Sequence, residues 1–374
     1  MRTLNQIDLS GKKVLLRADF DVPIGNHSQT RPVESPQVLP VEILESFRIR
    51  KQKPTVDFLL NNGATAVAIA HIKAINSFKA MISELENILG REIELIDNLG
   101  ELGSRLSNLK PGKLYLLDNV RNWSGEEKND ELFAKTLSTG FDLYINNAFA
   151  VCHRKHASVS AVAKFLPSYP GFLIEEETAQ LDKLITMPKD GKIFVMGGAK
   201  ASTKVPVIKN FIGKTRNILL GGVIANDILK ARGVDIGLSI ADENVAKLLE
   251  GLDIGHKSLI MPVDFNIFEK KIYDIGPNTI RDYVNTIGAA EIIIWNGPVG
   301  LYEDPRFDAG TNSIAKAIAN SRAFKTIGGG DTIAAVDKLG LLDKFDFVST
   351  GGGAMLEFLA GNRLPGLEAL GYYK

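Results

Sequence analysis

KIFVMGG (192–198) is a run of bulky apolar residues that stops on two glycines, and the residues after it, AKASTK (199–204), are small or basic. An apolar run of this length ending on glycine reads as a strand buried on both faces that feeds a turn and then a helix. Working outward, the pattern recurs downstream in RNILLGG (216–222), SLIMPVD (258–264), EIIIWNG (291–297), KTIGGGD (325–331) and FDFVSTGG (345–352). Upstream it recurs in KVLLRADF (13–20), TAVAIAH (65–71), EIELID (92–97), KLYLLDN (113–119) and FDLYINN (141–147). Each run stops at Gly, Asp, Asn or His, with helix-like segments between. Such alternation predicts two doubly wound, Rossmann-like α/β domains with parallel sheets, and sheets of this kind bind ligands just past the carboxyl ends of their strands.

Between the two series lies FLPSYPGFLIEEETAQLDKLI (165–185), where Pro167 and Pro170 interrupt the chain before a helix expected to begin near Glu175. The domain boundary is placed there, giving domains 1–170 and 171–361 joined by a hinge helix. The stretch 24–46, with Pro32, Pro36 and Pro40 and no periodicity, reads as a mobile surface loop.

At 374 residues the chain exceeds one ordinary compact domain, which agrees with two. Lys plus Arg equals Asp plus Glu at 44 each, which argues against a nucleic-acid or membrane-surface partner. The N-terminus has no apolar signal-like segment, and no stretch is long enough to span a bilayer, so a cytoplasmic location is expected. The single cysteine, Cys152, cannot form an internal disulfide, which fits a reducing compartment.

In the second half, GGGDT (328–332) and STGGG (349–353) each precede a helix-like segment, expected over 333–339 and 354–359. Glycines let backbone N–H groups approach a phosphate, and a helix N-terminus adds partial positive charge. Asp331 is suited to a magnesium ion bridging phosphates. Lys200 and Lys204, four apart after a strand end, are expected on one helical face, where lysine serves a moving phosphoryl group as a mobile point charge. Each feature also has an ordinary reading, as a strand-to-helix turn or solvated surface. Their occurrence together points to a nucleotide.

Other nucleotide signatures are missing. GKT occurs at 213–215, but Ile208 stands where a Walker A loop needs glycine, and no strand is followed by G-x-G-x-x-G. His153, His156 and Cys152 lack a fourth partner for zinc. In the first half, Asp19, Asp21, Arg48, His71, Arg121, Arg154 and His156 collect at strand ends or on adjacent helices. Guanidinium forks there suit a multiply anionic small molecule. A nucleotide domain and an anion domain joined by a linker predict closure that expels water before phosphoryl transfer, a reaction needing mainly positioning and positive charge.

The blocks KVLLRADFDVP, NVRNWSGEEKND, NNAFAVCHRKHAS, GGAKASTKVPVI, WNGPVGLYE, GGGDTIAAV and STGGGAMLEFLAGNRLPGLEAL, collinear over nearly the whole chain, resemble the phosphoglycerate kinase family. The resemblance implies reversible phosphoryl transfer from 1,3-bisphosphoglycerate to MgADP, giving 3-phosphoglycerate and MgATP. It implies an acid-substrate site of Asp19, Phe20, Asp21, Arg48, His71, Arg121 and Arg154. It implies a nucleotide site of Lys200, Lys204, Gly222, Asn296, Glu303, Gly328, Gly329, Gly330, Asp331 and Thr332, with magnesium at Asp331 held largely through the nucleotide. Arg48 and Lys200 would meet the migrating group, and Gly330 and Gly353 would present helix N–H groups to it. The tail 362–374 would return to the N-terminal domain, and the family's habit implies a monomer.

Departures accompany the match. His71-Ile72-Lys73-Ala74-Ile75 stands where the family reads His-Leu-Gly-Arg-Pro, so a substrate arginine is missing. Asp21 replaces asparagine, Asn147 replaces aspartate, and Asn122 stands where an aromatic is common. One lost charged hydrogen bond costs about 1.5–3 kcal/mol, which weakens an enzyme without abolishing it. Two other readings stay open at this point. One is a divergent family member with an altered acid substrate or a non-catalytic nucleotide-binding role, and the other is an anion-binding protein that closes without chemistry.

Overall fold

The structure is a computed structural model and describes residues 3–26 and 41–373. The chain divides into two compact units, Met1–Thr178 with Arg363–Lys374, and Ala179–Asn362. The division falls inside the helix Phe172–Thr186, which carries the chain from one unit to the next.

The first unit contains β1 (Lys13–Arg17), β2 (Ile24–Asn26), β3 (Val41–Ile43), β4 (Thr65–Ile69), β5 (Ile93–Ile96), β6 (Leu114–Leu117), β7 (Leu143–Asn146) and β8 (Ser168–Pro170). Six of them form one all-parallel sheet in the order β5-β6-β4-β1-β7-β8. Successive side chains of a strand face opposite ways, so an unbroken apolar strand serves two cores. Val14 and Leu16 of β1, with Ala66 and Ala68 of β4, pack with Val56 and Leu59 of the helix Lys53–Asn61 and Leu85 of Ile82–Leu89. Leu15, Val67 and Tyr144 face the other way, with Ala134 and Leu137 of the helix Glu131–Ser138.

The second unit contains β9 (Lys192–Met196), β10 (Asn217–Leu220), β11 (Leu259–Ile260), β12 (Phe265–Phe268), β13 (Lys271–Ile275), β14 (Ile292–Asn296), β15 (Phe324–Gly328) and β16 (Phe347–Ser349). Its parallel sheet runs β11-β10-β9-β14-β15-β16. The chain winds outward from β9 in one direction and, from β14, in the other. The point of reversal therefore lies between these two central strands, where doubly wound sheets hold their ligands.

Every apolar run read from the sequence contains a strand of these two sheets. The remaining strands differ from the reading for local reasons. Ser168–Pro170, read as an interruption, is a parallel edge strand on β7, a position where a proline without an N–H is tolerated. The ends of the proline-containing stretch are an antiparallel pair, Ile24 opposite Ile43 and Gly25 opposite Glu42, which corrects the loop reading at those flanks. Residues 27–40 of that stretch lie outside the described residues. A second ribbon, β12 with β13, turns through Glu269 and Lys270, both at positive φ, as a two-residue hairpin requires.

Helix boundaries also shift. The helices expected from 333 and 354 span Gly330–Asp337 and Gly352–Leu359, so the glycine clusters form their first turns. Lys200 and Lys204 do not share a helical face. Lys200 precedes a short 3-10 turn, Ala201–Thr203, and Lys204 caps the helix Val205–Phe211. The C-terminal segment lies against the first unit, where the Gly366 N–H donates to the Cys152 carbonyl at 2.9 Å.

Candidate active site

In the second unit the carboxyl ends of β9 and β14 meet on glycines. The Gly197 N–H donates to the Asn296 carbonyl at 3.1 Å, and the Gly198 N–H to the Pro298 carbonyl at 2.7 Å. Gly297 sits at φ +93°, and a Cβ there would collide with the Gly197 carbonyl, so only glycine permits this approach. Beside these strand ends lies a cavity of about 240 Å³ whose lining includes Gly198, Gly222, Asn226, Tyr273, Glu303 and Asp331.

Three helices start at this end of the sheet, Gly222–Ala231, Gly330–Asp337 and Gly352–Leu359, each after a glycine that gives no side-chain cap. Their opening N–H groups and the helix dipole suit an anion. Gly330 has neither a positive φ nor any atom within 4 Å of where a Cβ would stand, so nothing in the protein itself requires glycine there. Gly353 is the exposed second residue of the last helix.

Asn296 and Thr332, expected to meet nucleotide, spend their side chains on the protein. Asn296 Nδ2 donates to the Gly328 carbonyl at 2.8 Å, and Thr332 Oγ1 accepts from the Gly297 N–H at 2.7 Å. Together they lock the end of β14 to the end of β15 and to the helix that follows it. Gly329, at φ +99°, lies against the Asn296 amide. Lys200 is exposed and Lys204 buried. Burial pushes the Lys204 ammonium below its ordinary value, with Asp331 opposing the shift and Lys200 adding to it. Lys204 therefore feels both of these charges.

In the first unit the polar cluster is built on Arg17, which the sequence reading passed over as part of a strand. Its guanidinium is buried, with Nε donating to Ser158 Oγ at 2.9 Å, Nη1 to the Ala18 and Ile69 carbonyls, and Nη2 reaching His71 Nδ1 at 3.0 Å. A guanidinium only donates, so Nδ1 accepts and neutral His71 carries its proton on Nε2. That N–H faces Asp21 Oδ2 at 3.4 Å, while Arg154 Nη1, itself only a donor, stands 3.4 Å from the same nitrogen without a hydrogen bond to it in this tautomer. Burial, then the nearby Arg17 charge, hold His71 below its ordinary value against the opposing Asp21. Burial pushes the Asp21 carboxyl up, but the His71 hydrogen bond and charge and the Lys73 N–H outweigh it and hold it well below the carboxylate range.

Arg48 Nη1 donates to the Asp21 carbonyl at 3.0 Å, and Arg121 Nε lies 3.2 Å from Glu127. His156 is pushed down to about 4 by burial, then by Arg154 and Arg121, so it is neutral at neutral pH. Buried Glu126 accepts from the Ser158 N–H and hydroxyl at 2.9 and 2.6 Å, closing the network behind Arg17. Asp19 is buried with Oδ2 unpartnered, and the Phe20 side chain lies in the core edge-on to Phe78, so only its backbone can serve a ligand. A charged residue inside an apolar strand, as in VLLRADF, was the signal for Arg17.

Three sequence departures form one structural unit. The segment 72–76 is held by Asp21 Oδ1 accepting from the Lys73 N–H at 3.0 Å, and by Asn122 Nδ2 donating to the Asn76 carbonyl at 2.9 Å. Asn119 Nδ2 donates to the carbonyls of Ile72 and Ile75 in the same segment. Asp21 and Asn122 thus anchor the segment from which the arginine is missing.

Cys152 is buried, and burial pushes its thiol well above the ordinary range, which makes it a packing residue beneath Gly366. Among the described residues no group of three or more His, Cys, Asp or Glu is placed to hold a metal, and no helix is long and apolar enough to cross a membrane.

The family model described as phosphoglycerate kinase matches residues 4–362. A phosphoglycerate kinase of Dictyoglomus turgidum is 38% identical over 399 residues, covering 98% of this chain and 97% of its own. That of Moorella thermoacetica is 36% identical over 401 residues, covering 98% of each. Among solved structures, phosphoglycerate kinase from Pyrococcus horikoshii has a TM-score of 0.85 at 29% identity, with 99% of this chain and 98% of that one covered. The Coxiella burnetii enzyme has 0.81 at 30% identity, with 99% of each covered. On this evidence, spanning both units, the chain belongs to the phosphoglycerate kinase family.

Proposed function

We propose that the chain catalyses reversible phosphoryl transfer between 1,3-bisphosphoglycerate and MgADP, giving 3-phosphoglycerate and MgATP. The observation that carries this reading is the gathering of Lys200, Lys204, Asp331 and glycine-led, uncapped helix N-termini at one sheet's carboxyl end. Transfer of this kind needs positioned positive charge and little covalent help. In this reading Lys200 follows the migrating group, while the N–H groups at Gly330 and Gly353 stabilise its developing charge. Lys204, Gly222, Glu303 and residues 328–332 surround the nucleotide.

The exposed carboxylate of Asp331 is a hard oxygen donor on the cavity wall, which fits a magnesium ion held chiefly by the nucleotide phosphates. When bound, the ion neutralises phosphate charge. Arg48, Arg121 and Arg154 supply the cationic side of the acid-substrate site, and the unpartnered Asp19 Oδ2 awaits a donor such as a substrate hydroxyl. His71 and Asp21 complete that site. Lys73, exposed beside Asp21, partly replaces the missing arginine, and a Lys73→Ala variant with unchanged KM for 3-phosphoglycerate rejects that role. One chain carries both sets of residues, so we propose that it acts as a monomer, in the cytoplasm with its soluble substrates.

The test is ATP consumption by the purified protein with 3-phosphoglycerate and Mg²⁺, product being removed by a coupled dehydrogenase. Turnover that depends on 3-phosphoglycerate supports the reading. Folded protein that binds MgATP without turnover rejects it.

A further inference from the structure

Asn147 is a departure whose consequence reaches beyond its own strand. It follows the end of β7 and is fully buried. Its Oδ1 accepts from Thr55 Oγ1 at 2.9 Å and from the Leu173 N–H at 3.1 Å, while its Nδ2 donates to Gln52 Oε1 at 2.9 Å. Gln52 Nε2 in turn donates to the Arg48 carbonyl at 3.3 Å. Thr55 Oγ1 accepts from the Phe172 N–H at 3.0 Å. Gln52 and Thr55 are also fully buried. The packing around the amide is tight, since a Cβ on Gly171 would land on the Asn147 side chain.

Every donor and acceptor in this chain of bonds is neutral and faces a partner, so it has a defined direction rather than a diffuse electrostatic one. One end is the backbone that carries Arg48. The other end is the first turn of Phe172–Thr186, the helix through which the chain passes into the second unit. Both halves of the Asn147 amide are used, one toward each end. An aspartate at this position has no donor for Gln52 Oε1 unless the glutamine amide turns over.

We propose that Asn147, with Gln52 and Thr55, is a positioning relay that couples the placement of Arg48 to the start of the helix leading into the second unit. The inference rests on the reading of Arg48 as an acid-substrate residue. Binding of 3-phosphoglycerate at Arg48 would then steady the first turn of that helix, and a shift at either end would be transmitted through two buried side chains.

The test compares wild type, Asn147→Ala, Asn147→Asp, Thr55→Val and Thr55→Ser by steady-state kinetics per folded molecule, MgATP binding, thermal unfolding and amide exchange at Phe172 and Leu173. Asn147→Ala is expected to lower kcat/KM for 3-phosphoglycerate about tenfold while MgATP affinity stays within about twofold. It should also abolish the slowing of Phe172 and Leu173 exchange by 3-phosphoglycerate that the relay predicts for wild type; an active wild type without that slowing overturns the relay. Asn147→Asp, which keeps both acceptor bonds but not the donor to Gln52 Oε1, should recover thermal stability more fully than the exchange response to 3-phosphoglycerate. If Asn147→Ala does not fold, Thr55→Val against Thr55→Ser decides, because the valine is near in size and lacks the hydroxyl. Earlier melting with wild-type kinetics and wild-type exchange response in the folded fraction overturns the relay. A wild type without turnover removes the functional reading, and the relay with it.

Discussion

Gly330 and Asp21 are residues whose chemistry the surrounding protein does not explain alone. A Cβ at Gly330 meets nothing within 4 Å, and alanine in a helix is favoured over glycine by up to about 1 kcal/mol. Gly330→Ala is therefore expected to melt at or above the wild-type temperature while raising the KM for ATP about tenfold, a split that calorimetry and kinetics together read. Asp21 poses the converse case, a carboxylate placed among residues that would receive an anion. Its charge is answered by the His71 and Lys73 N–H groups, and Asp21→Asn should lower the KM for 3-phosphoglycerate by roughly threefold to tenfold. The sign of its pH effect follows from the depressed folded value. Stability from Asp21 is present above the ordinary carboxylate range and lost as pH falls toward the folded value, so Asp21→Asn should show a shallower acid-side decline in urea unfolding.

At the level of elements, helix starts that carry a glycine in the first turn do two different things here. Those of Gly330–Asp337 and Gly352–Leu359 receive no side-chain cap, whereas the helix Ala309–Asn320 has its Gly310 N–H taken by Asp274 of β13 at 2.6 Å. Asp274 also accepts from the Ile275 N–H, yet burial dominates and pushes its carboxyl up to about 6. A raised folded value means the protonated form is favoured in the folded state. The contribution is complete below the unfolded value near 4 and is lost as pH rises through 6, a change of roughly 2–3 kcal/mol. Urea unfolding of wild type against Asp274→Asn should show a difference that grows in the variant's favour between pH 4 and 7. A pH-independent difference would mean that folding does not raise the Asp274 carboxyl. The segment 72–76 is also an element-level feature, since it lacks a helix or strand of its own and takes its place from side chains of Asp21, Asn119 and Asn122.

For the whole molecule, the proposed reaction divides its requirements between units that fold around separate sheets. Lys200 is exposed and outside both cores, so Lys200→Ala should change stability by less than about 0.5 kcal/mol. It should lower kcat by roughly a hundredfold or more while MgATP still binds, as titration calorimetry would show. Loss of MgATP binding would instead make Lys200 an affinity residue. Much of this architecture was legible in the amino-acid order because a doubly covered strand has a local requirement, an unbroken apolar run ended by a residue that can turn or bind. KIFVMGG and EIIIWNG satisfy it without reference to their neighbours, and they became adjacent central strands of one parallel sheet. The glycine clusters, Lys200 and Asp331 were legible for the same reason, since phosphate chemistry is written in short strings. What only the tertiary structure decided are the groups joined across long separations. These include Arg17 behind His71, Asp21 and Asn122 holding one segment, Asn296 and Thr332 turned inward, and Asn147 joined to Gln52 and Leu173. Their residue types are those of ordinary polar surface, and a hydrogen bond acts over a few ångströms, so their roles exist only once the fold has removed water and set partners side by side.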